Sequence, residues 1–222
     1  MADCDPAGIS RALGAEEAWL ETAGYLVGQG RQSWTAEADL AFSRRLGMEI
    51  DLPAWMPRDG RFSKTLGAGL KVPLVQDCRR DGLTTLLTVE GEGQYHTGSR
   101  PAQAGDGDAV TGQIEWALER RPRFFTGEAG HTTGFGPSAL AGWFANASLG
   151  QDLGVVRVQL EGAIDNESLP ARPHRVEGTV TPQVALQLSS AWILTLGEQR
   201  AYMTSVPTPR WSTWFMVEHE FD

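Results

Sequence analysis

Strand-length segments of this chain alternate strictly between apolar and polar residues. In residues 34–43 the even positions hold Trp, Ala, Ala, Leu and Phe, and the odd positions hold Thr, Glu, Asp, Ala and Ser. A β-strand points successive side chains to opposite faces, so each such segment predicts a strand with one apolar and one polar face. In a soluble domain the apolar face covers a core. In a transmembrane barrel it contacts lipid, and the polar face lines a lumen.

The alternation continues along almost the whole chain and is interrupted by turn residues. It predicts an all-β protein of about twelve strands, with residues 1–17 as an N-terminal periplasmic segment and residues 18–222 as the β domain. Pro182 predicts a bulge or a misplaced strand, because proline cannot donate to a strand ladder. The predicted strands span roughly residues 19–28, 33–43, 48–54, 65–75, 83–95, 110–119, 123–132, 138–149, 154–164, 175–188, 191–197 and 211–221.

The connections between the predicted strands fall into two classes. Every second connection is a short turn, and most of the others are longer and polar, including 55–64, 97–108, 165–174 and 198–210. Outer-membrane barrels alternate short periplasmic turns with longer extracellular loops in this way. The predicted fold class is therefore an antiparallel up-and-down transmembrane β-barrel with both chain ends on the periplasmic side.

The last predicted strand carries the sharpest motif. Residues 211–221 read WSTWFMVEHEF and end on Phe221 after alternating apolar positions. This segment resembles the C-terminal strand of bacterial outer-membrane barrels, which ends in an aromatic residue. The resemblance implies location in the outer membrane, contact with its lipid, and recognition of the strand by the barrel assembly machinery. His219 and the additional Asp222 depart from the family pattern.

A narrower resemblance comes from two segments in the first third of the chain. Residues 41–53 read AFSRRLGMEIDLP, and residues 67–74 read GAGLKVPL. They resemble the outer-membrane transporters grouped with the phenol meta-pathway proteins, which repeat a strand, a tight turn, an Arg-Leu segment ending in Leu-Pro, and a Gly-Leu-Lys strand. The resemblance implies passage of small, often hydrophobic or aromatic compounds, and it fixes no substrate.

Composition excludes some function classes and is compatible with a transmembrane barrel. The 222 residues have a net charge of −9 and a mean hydropathy of −0.27. No apolar run reaches the ~18 residues that a membrane-spanning helix needs, whereas a barrel strand needs only alternation. The acidic balance argues against a nucleic-acid partner. The start, MADCDPAG, has no signal-peptide pattern, which fits a cytoplasmic protein or a mature exported protein behind an added methionine.

The polar positions of the predicted strands supply the candidate lumen. Acids far outnumber bases there, which favours cations or neutral solutes because a low-dielectric wall focuses the field of its charges. Glu37 and Asp39 are expected beside Glu49 and Asp51 with no base between them. The predicted lumen-lining, solute-facing residues are Glu37, Asp39, Glu49, Asp51, Lys71, Glu90, Glu92, Glu115, Arg157, Glu161, Arg175 and Glu177.

The same charges have a structural alternative. In narrow barrels, lumen charges pair into networks that fill the interior, and Arg157, Glu161, Arg175 and Glu177 lie on neighbouring predicted strands. Such a plugged barrel would anchor a membrane complex and partner membrane proteins rather than pass solute. A barrel of about twelve strands lies between those filled by side chains and those with an open channel.

Two cysteines raise the question of a disulfide. Cys4 and Cys78 both fall on the periplasmic side of the predicted topology, and that compartment is oxidising. They form either a disulfide that holds the N-terminal segment at the barrel mouth or two separate thiols, depending on their distance. Two cysteines are too few for a metal site, and neither a metal nor another cofactor is predicted.

The leading interpretation is an outer-membrane channel or passive transporter for small molecules. An outer-membrane lipid-modifying enzyme is a further alternative, because His96, His131 and His174 fall near predicted loop ends. No GxSxG or HExxH motif accompanies them, so no enzyme is predicted. A soluble ligand-binding β-barrel is the last alternative and is favoured only by the start of the chain.

Overall fold

The computed structural model describes residues 18–27, 31–43, 45–56, 61–62, 65–79, 82–96, 108–135, 141–166, 176–203 and 206–221. Within these ranges no helix is long and apolar enough to cross a membrane. The described part of the chain contains thirteen strands: β1 (Ala18–Val27), β2 (Arg31–Ser43), β3 (Leu46–Met56), β4 (Arg61–Phe62), β5 (Thr65–Cys78), β6 (Leu83–His96), β7 (Asp108–Arg120), β8 (Arg123–Phe135), β9 (Gly142–Asp152), β10 (Val156–Asp165), β11 (Glu177–Gln187), β12 (Trp192–Met203) and β13 (Val206–Phe221).

The strands form one antiparallel up-and-down sheet. Successive strands pair with each other, except that β3 pairs with both the two-residue β4 and the long β5. The first strand pairs on one side with β2 and on the other with β13, from Ala18 opposite Phe221 to Val27 opposite Ser212. Each predicted strand overlaps one of the long strands, and β4 was not predicted.

The two faces of the sheet differ in chemistry as predicted. We call the face that carries Thr111 and Glu90 the polar face, and the face that carries Ile114 and Leu160 the apolar face. Thr111 is 6% and Glu90 4% exposed, whereas Ile114 is 47% and Leu160 53% exposed. Polar side chains are thus buried and apolar ones face outward. This is the reverse of a soluble domain and is the pattern that lipid selects.

Short turns at one edge of the sheet fix the register of the hairpins. Gly82 has a φ of +79° and Gly154 a φ of +85°, a left-handed conformation that glycine adopts without steric cost. The amide of Gly82 donates to the carbonyl of Arg79 at 3.0 Å, which closes the β5–β6 turn. The amide of Asp152 donates to Pro122 of the adjacent turn at 2.7 Å. We call this the short-turn edge.

Two local predictions were wrong. Residues 198–210 were predicted as a long loop, but β12 runs to Met203 and β13 starts at Val206. The segment has alternating residues that continue the ladder, with a register shift near Ala201. No bulge occurs at Pro182, since the β11–β12 register is the same before and after it. Thr181 and Pro182 have no paired position on β12, as expected where the ring nitrogen has no proton to donate, whereas Pro182 remains paired with Leu160 on β10.

Candidate functional site on the polar face

The polar face of β5 holds a lysine between two carboxylates. Lys71 Nζ lies 2.5 Å from Glu49 Oε2 on β3 and 4.0 Å from Glu90 Oε2 on β6. The three side chains are 10%, 13% and 1% exposed, respectively. The expectation of no intervening base concerned the space between β2 and β3, whereas Lys71 approaches Glu49 from β5, the other neighbour of β3. The β3–β5 register pairs Gly47 with Lys71 and so brings the ammonium group to Glu49.

Glycines on β5 make room for the carboxylates. A Cβ on Gly69 would lie 2.6 Å from Glu90 Oε1, and a Cβ on Gly67 would lie 2.6 Å from Glu92 Oε1. Neither of these two buried oxygens has a hydrogen-bond partner among the described residues. Burying a carboxylate oxygen without a donor is costly, so these positions carry unsatisfied acceptor capacity.

Amide side chains bridge further carboxylates along the polar face. Gln113 Nε2 donates to Glu90 Oε2 at 2.7 Å and to Glu115 Oε1 at 3.0 Å. Asn146 Nδ2 donates to Glu128 Oε1 at 2.6 Å. Gln183 Nε2 donates to Glu161 Oε2 at 2.7 Å and accepts from Gln159. The alternation of the sequence places these amides at polar positions of their strands. Their hydrogen-bond partners follow only from the strand registers.

A cavity of about 500 Å³ opens on the polar face near the short-turn edge. Arg157 crosses its wall, donating from Nε to Asp152 Oδ1 at 2.7 Å, and its guanidinium carbon lies 4.8 Å from the ring centre of Phe124. The same cavity is lined by Glu119 of β7 and Glu218 of β13. Residues of strands far apart in sheet order therefore line the same open cavity.

The alternative of a charge network of Arg157, Glu161, Arg175 and Glu177 includes Arg175, which lies outside the described residues. Among the described residues, Arg157 binds Asp152, and Glu161 accepts from Gln183. Asp152 was missed because the sequence placed it in a turn rather than at the end of β9. The alternation through Asn146 and Ser148 extends to Asp152 and was the available signal.

Most of the predicted lumen residues fall on the polar face. Glu37 pairs in register with Asp51, and Asp39 pairs with Glu49, so β2 and β3 adjoin as predicted. Arg175 and Cys4 lie outside the described residues, and Cys78 is the last residue of β5, opposite Thr84. The half-buried or buried members among the rest are Glu49, Asp51, Lys71, Glu90, Glu92, Glu115, Arg157, Glu161 and Glu177.

The three histidines that the structure describes do not converge on one site. By strand alternation His96 lies on the polar face of β6, whereas the exposed His131 lies on the apolar face of β8. His219 packs edge-on against Trp192, with ring centres 4.2 Å apart. His174 lies outside the described ranges. Among the described residues, no group of three or more His, Cys, Asp or Glu is arranged to hold a metal ion.

The sequence matches no family model and no curated protein. Among solved structures, the chain is similar to the KdgM porin, with 7% identity, a TM-score of 0.59, and coverage of 92% of this chain and 99% of that one. It is also similar to OccAB3 of Acinetobacter baumannii (11% identity, TM-score 0.52) and to the outer-membrane protein opdK of Pseudomonas aeruginosa (10% identity, TM-score 0.52).

The extent of these matches differs. The alignments cover 86% and 89% of this chain, but only 55% of OccAB3 and 61% of opdK. The chain thus spans little more than half the length of those two proteins and nearly the full length of the KdgM porin. At these identities the likeness concerns the fold, and the chain shares the antiparallel up-and-down fold of outer-membrane porins.

Proposed function

We propose that the protein is a bacterial outer-membrane channel that passes small cationic or neutral molecules. One observation carries this proposal: the apolar face of the sheet is exposed, and residues of the polar face line an open cavity of about 500 Å³. The exposed side chains of Leu160 and Ile114 carry no free-energy penalty where they contact lipid. The fold likeness to porins supports the same location and activity.

In this proposal the sheet closes into a twelve-stranded barrel. The pairing of β1 with both β2 and β13 supports closure, and β4 with its two residues lies outside the ring. The cavity supports it independently, because β7 and β13 both line it. In a flat sheet at about 4.8 Å per strand step, these strands would be roughly 29 Å apart.

The charge of the polar face sets the proposed solute class. Glu49, Glu90, Glu115 and Glu161 lie there together with a single described lysine, Lys71. A solved structure similar to this chain is that of the KdgM porin with oligogalacturonate, which is a polyanion. An acid-rich low-dielectric wall repels anions and concentrates cations. We therefore propose that this protein passes cationic or neutral solutes.

A second candidate function is a plugged barrel that anchors a membrane complex. The hydrogen-bonded amide and carboxylate side chains of Gln113, Glu90 and Glu115 favour it, because they cross-link neighbouring strands on the polar face. Such networks stiffen an interior when they are satisfied. The cavity beside Arg157 favours the channel, since a fully plugged barrel would leave no space of that size.

Four narrower proposals concern partners, location, substrate and the absence of enzymatic activity. Recognition of the strand ending at Phe221 by the barrel assembly machinery, and a periplasmic role for residues 1–17, both follow from the proposed topology. Passage of small aromatic compounds rests on the resemblance of residues 41–53 and 67–74 to the phenol meta-pathway transporters. A non-enzymatic role is proposed because His96 and His131 lie on opposite faces.

Liposome swelling tests the proposal and separates the solute classes. Proteoliposomes would be diluted into isosmotic solutions of a cationic amine, a neutral sugar, a neutral phenol or oligogalacturonate. We expect rapid swelling with the amine and the small neutral solutes, and slow swelling with oligogalacturonate. Fastest entry of oligogalacturonate would overturn the charge argument. No swelling with any solute, from protein that inserts and folds, would favour the plugged barrel.

A further inference from the structure

Lys71 presents an alkylammonium group to two carboxylates on the polar face. Its Nζ contacts Glu49 Oε2 at 2.5 Å and approaches Glu90 Oε2 at 4.0 Å. The lysine side chain is chemically a butylammonium chain tethered to β5. The arrangement therefore shows how carboxylates of this face contact a primary ammonium group.

Two carboxylate oxygens on β6 are buried without a hydrogen-bond partner among the described residues. Glu90 is 1% exposed in its side chain, and its Oε1 has no hydrogen-bond partner among the described residues. Glu92 Oε1, two positions along the same face of β6, is also buried without a partner there. A buried carboxylate oxygen without a donor is costly, so both of these oxygens can accept a further hydrogen bond.

We propose that Glu49 and Glu90 form a binding subsite for the primary ammonium group of a cationic solute, and that Lys71 is its tethered occupant, which the solute displaces. The inference rests on the proposed channel function and names its substrate class. A primary ammonium suits the site because it carries three donors, and the site offers the Glu49 oxygen, both Glu90 oxygens and the adjacent Glu92 oxygen. Quaternary ammonium ions have the same charge and no donor.

Block of ionic current by two small cations tests the subsite. The full-length protein would be reconstituted in planar lipid bilayers, and sodium current would be titrated with n-butylammonium or tetramethylammonium chloride. We expect half-block by butylammonium at a concentration about tenfold lower, because charge-assisted hydrogen bonds are worth about that factor. Equal potency of the two ions would overturn the proposal, since a general acidic field does not distinguish them.

Variants separate the subsite from its surroundings. Lys71→Met removes the tethered competitor and should lower the half-blocking concentration of butylammonium about tenfold, and Glu90→Gln should raise it about tenfold. Glu198→Gln is the control, because Glu198 is an exposed glutamate on β12 that accepts from Thr213 and has no role in the proposed subsite. It should change the value by less than about twofold. An unchanged or weaker block in Lys71→Met would overturn the proposal.

A silent protein would still test the subsite. Heat-modifiable mobility in detergent first establishes that each variant folds. If Lys71→Met does not fold, the comparison of the two ions on the unmodified protein still tests the subsite. If neither the unmodified protein nor any variant conducts, the proposed channel function is contradicted. Calorimetry in detergent then tests whether the subsite binds butylammonium. Butylammonium binding to Lys71→Met that is lost in Lys71→Met with Glu90→Gln supports it, and absence of binding overturns it.

Discussion

Arg157 and Asp152 are joined by two hydrogen bonds, from Nε to Oδ1 at 2.7 Å and from Nη2 to Oδ2 at 3.3 Å. The pair lies in the cavity wall near the short-turn edge, with the guanidinium over Phe124. Because both groups are about one-third exposed, we regard the pair as a weak stabiliser. Its main effect is electrostatic, since it places the positive charge of Arg157 in a cavity that Glu119 and Glu218 also line.

Removing that charge should change ion selectivity. We expect Arg157→Met to raise the cation-to-anion permeability ratio about twofold, since Asp152 is then left uncompensated in the cavity wall. The reversal potential in a salt gradient measures this ratio. Arg123→Met is the control, because Arg123 is exposed at the start of β8 and does not line the cavity. An equal shift in both variants would mean that net charge alone sets the selectivity.

Pairing of the first and last strands should be trapped by a disulfide. Thr22 lies opposite Val217 in the β1–β13 register, so Thr22→Cys with Val217→Cys should oxidise readily once Cys4 and Cys78 are replaced by serine. Altered mobility on a non-reducing gel measures the cross-link. Thr22→Cys with Phe215→Cys lies diagonally in the register, at about 7–8 Å, and should cross-link poorly. Equal cross-linking of both pairs would contradict the register.

A charged side chain on the apolar face should lower the stability of the protein in lipid. Leu160 is 53% exposed on that face in the middle of β10, and Leu160→Arg should destabilise the inserted protein by about 2–4 kcal/mol. Urea titration in lipid vesicles measures the loss. Gln159→Arg is the matched control, because Gln159 is the adjacent residue and lines the cavity, where an arginine remains hydrated. A larger loss in Gln159→Arg would mean that the faces are assigned the wrong way round.

Close packing of an aromatic ring on a glycine should make that glycine intolerant of a methyl group. A Cβ on Gly150 would collide with the Phe124 ring, whereas a Cβ on Gly162 would meet nothing within 4 Å. Gly150→Ala should therefore lower the free energy of unfolding by about 1–3 kcal/mol, and Gly162→Ala should not. Phe124→Leu in the Gly150→Ala background should recover part of the loss. Equal stability of both single variants would contradict this packing.

The alternation of residues was enough to predict the strands and their faces. Gln113 and Ile114 differ by one position, and only their polarity was needed to assign them to opposite faces. Side-chain partners depend on register, which the connections determine. Lys71 meets Glu49 because the segment joining β3 to β5 sets Gly47 opposite Lys71, and alternation carries no information on that offset. Asp152 was missed because the end of β9 was drawn too early.

Ion selectivity of single channels tests the central claim most directly. Protein that shows heat-modifiable mobility would be reconstituted in planar bilayers under a salt gradient. We predict discrete conductance with cations preferred over anions. Replacing Glu37, Asp39, Glu49 and Asp51 by their amides should reduce that preference. Folding in buffer without detergent, absence of conductance, or an anion preference would contradict the account of an acid-lined outer-membrane channel.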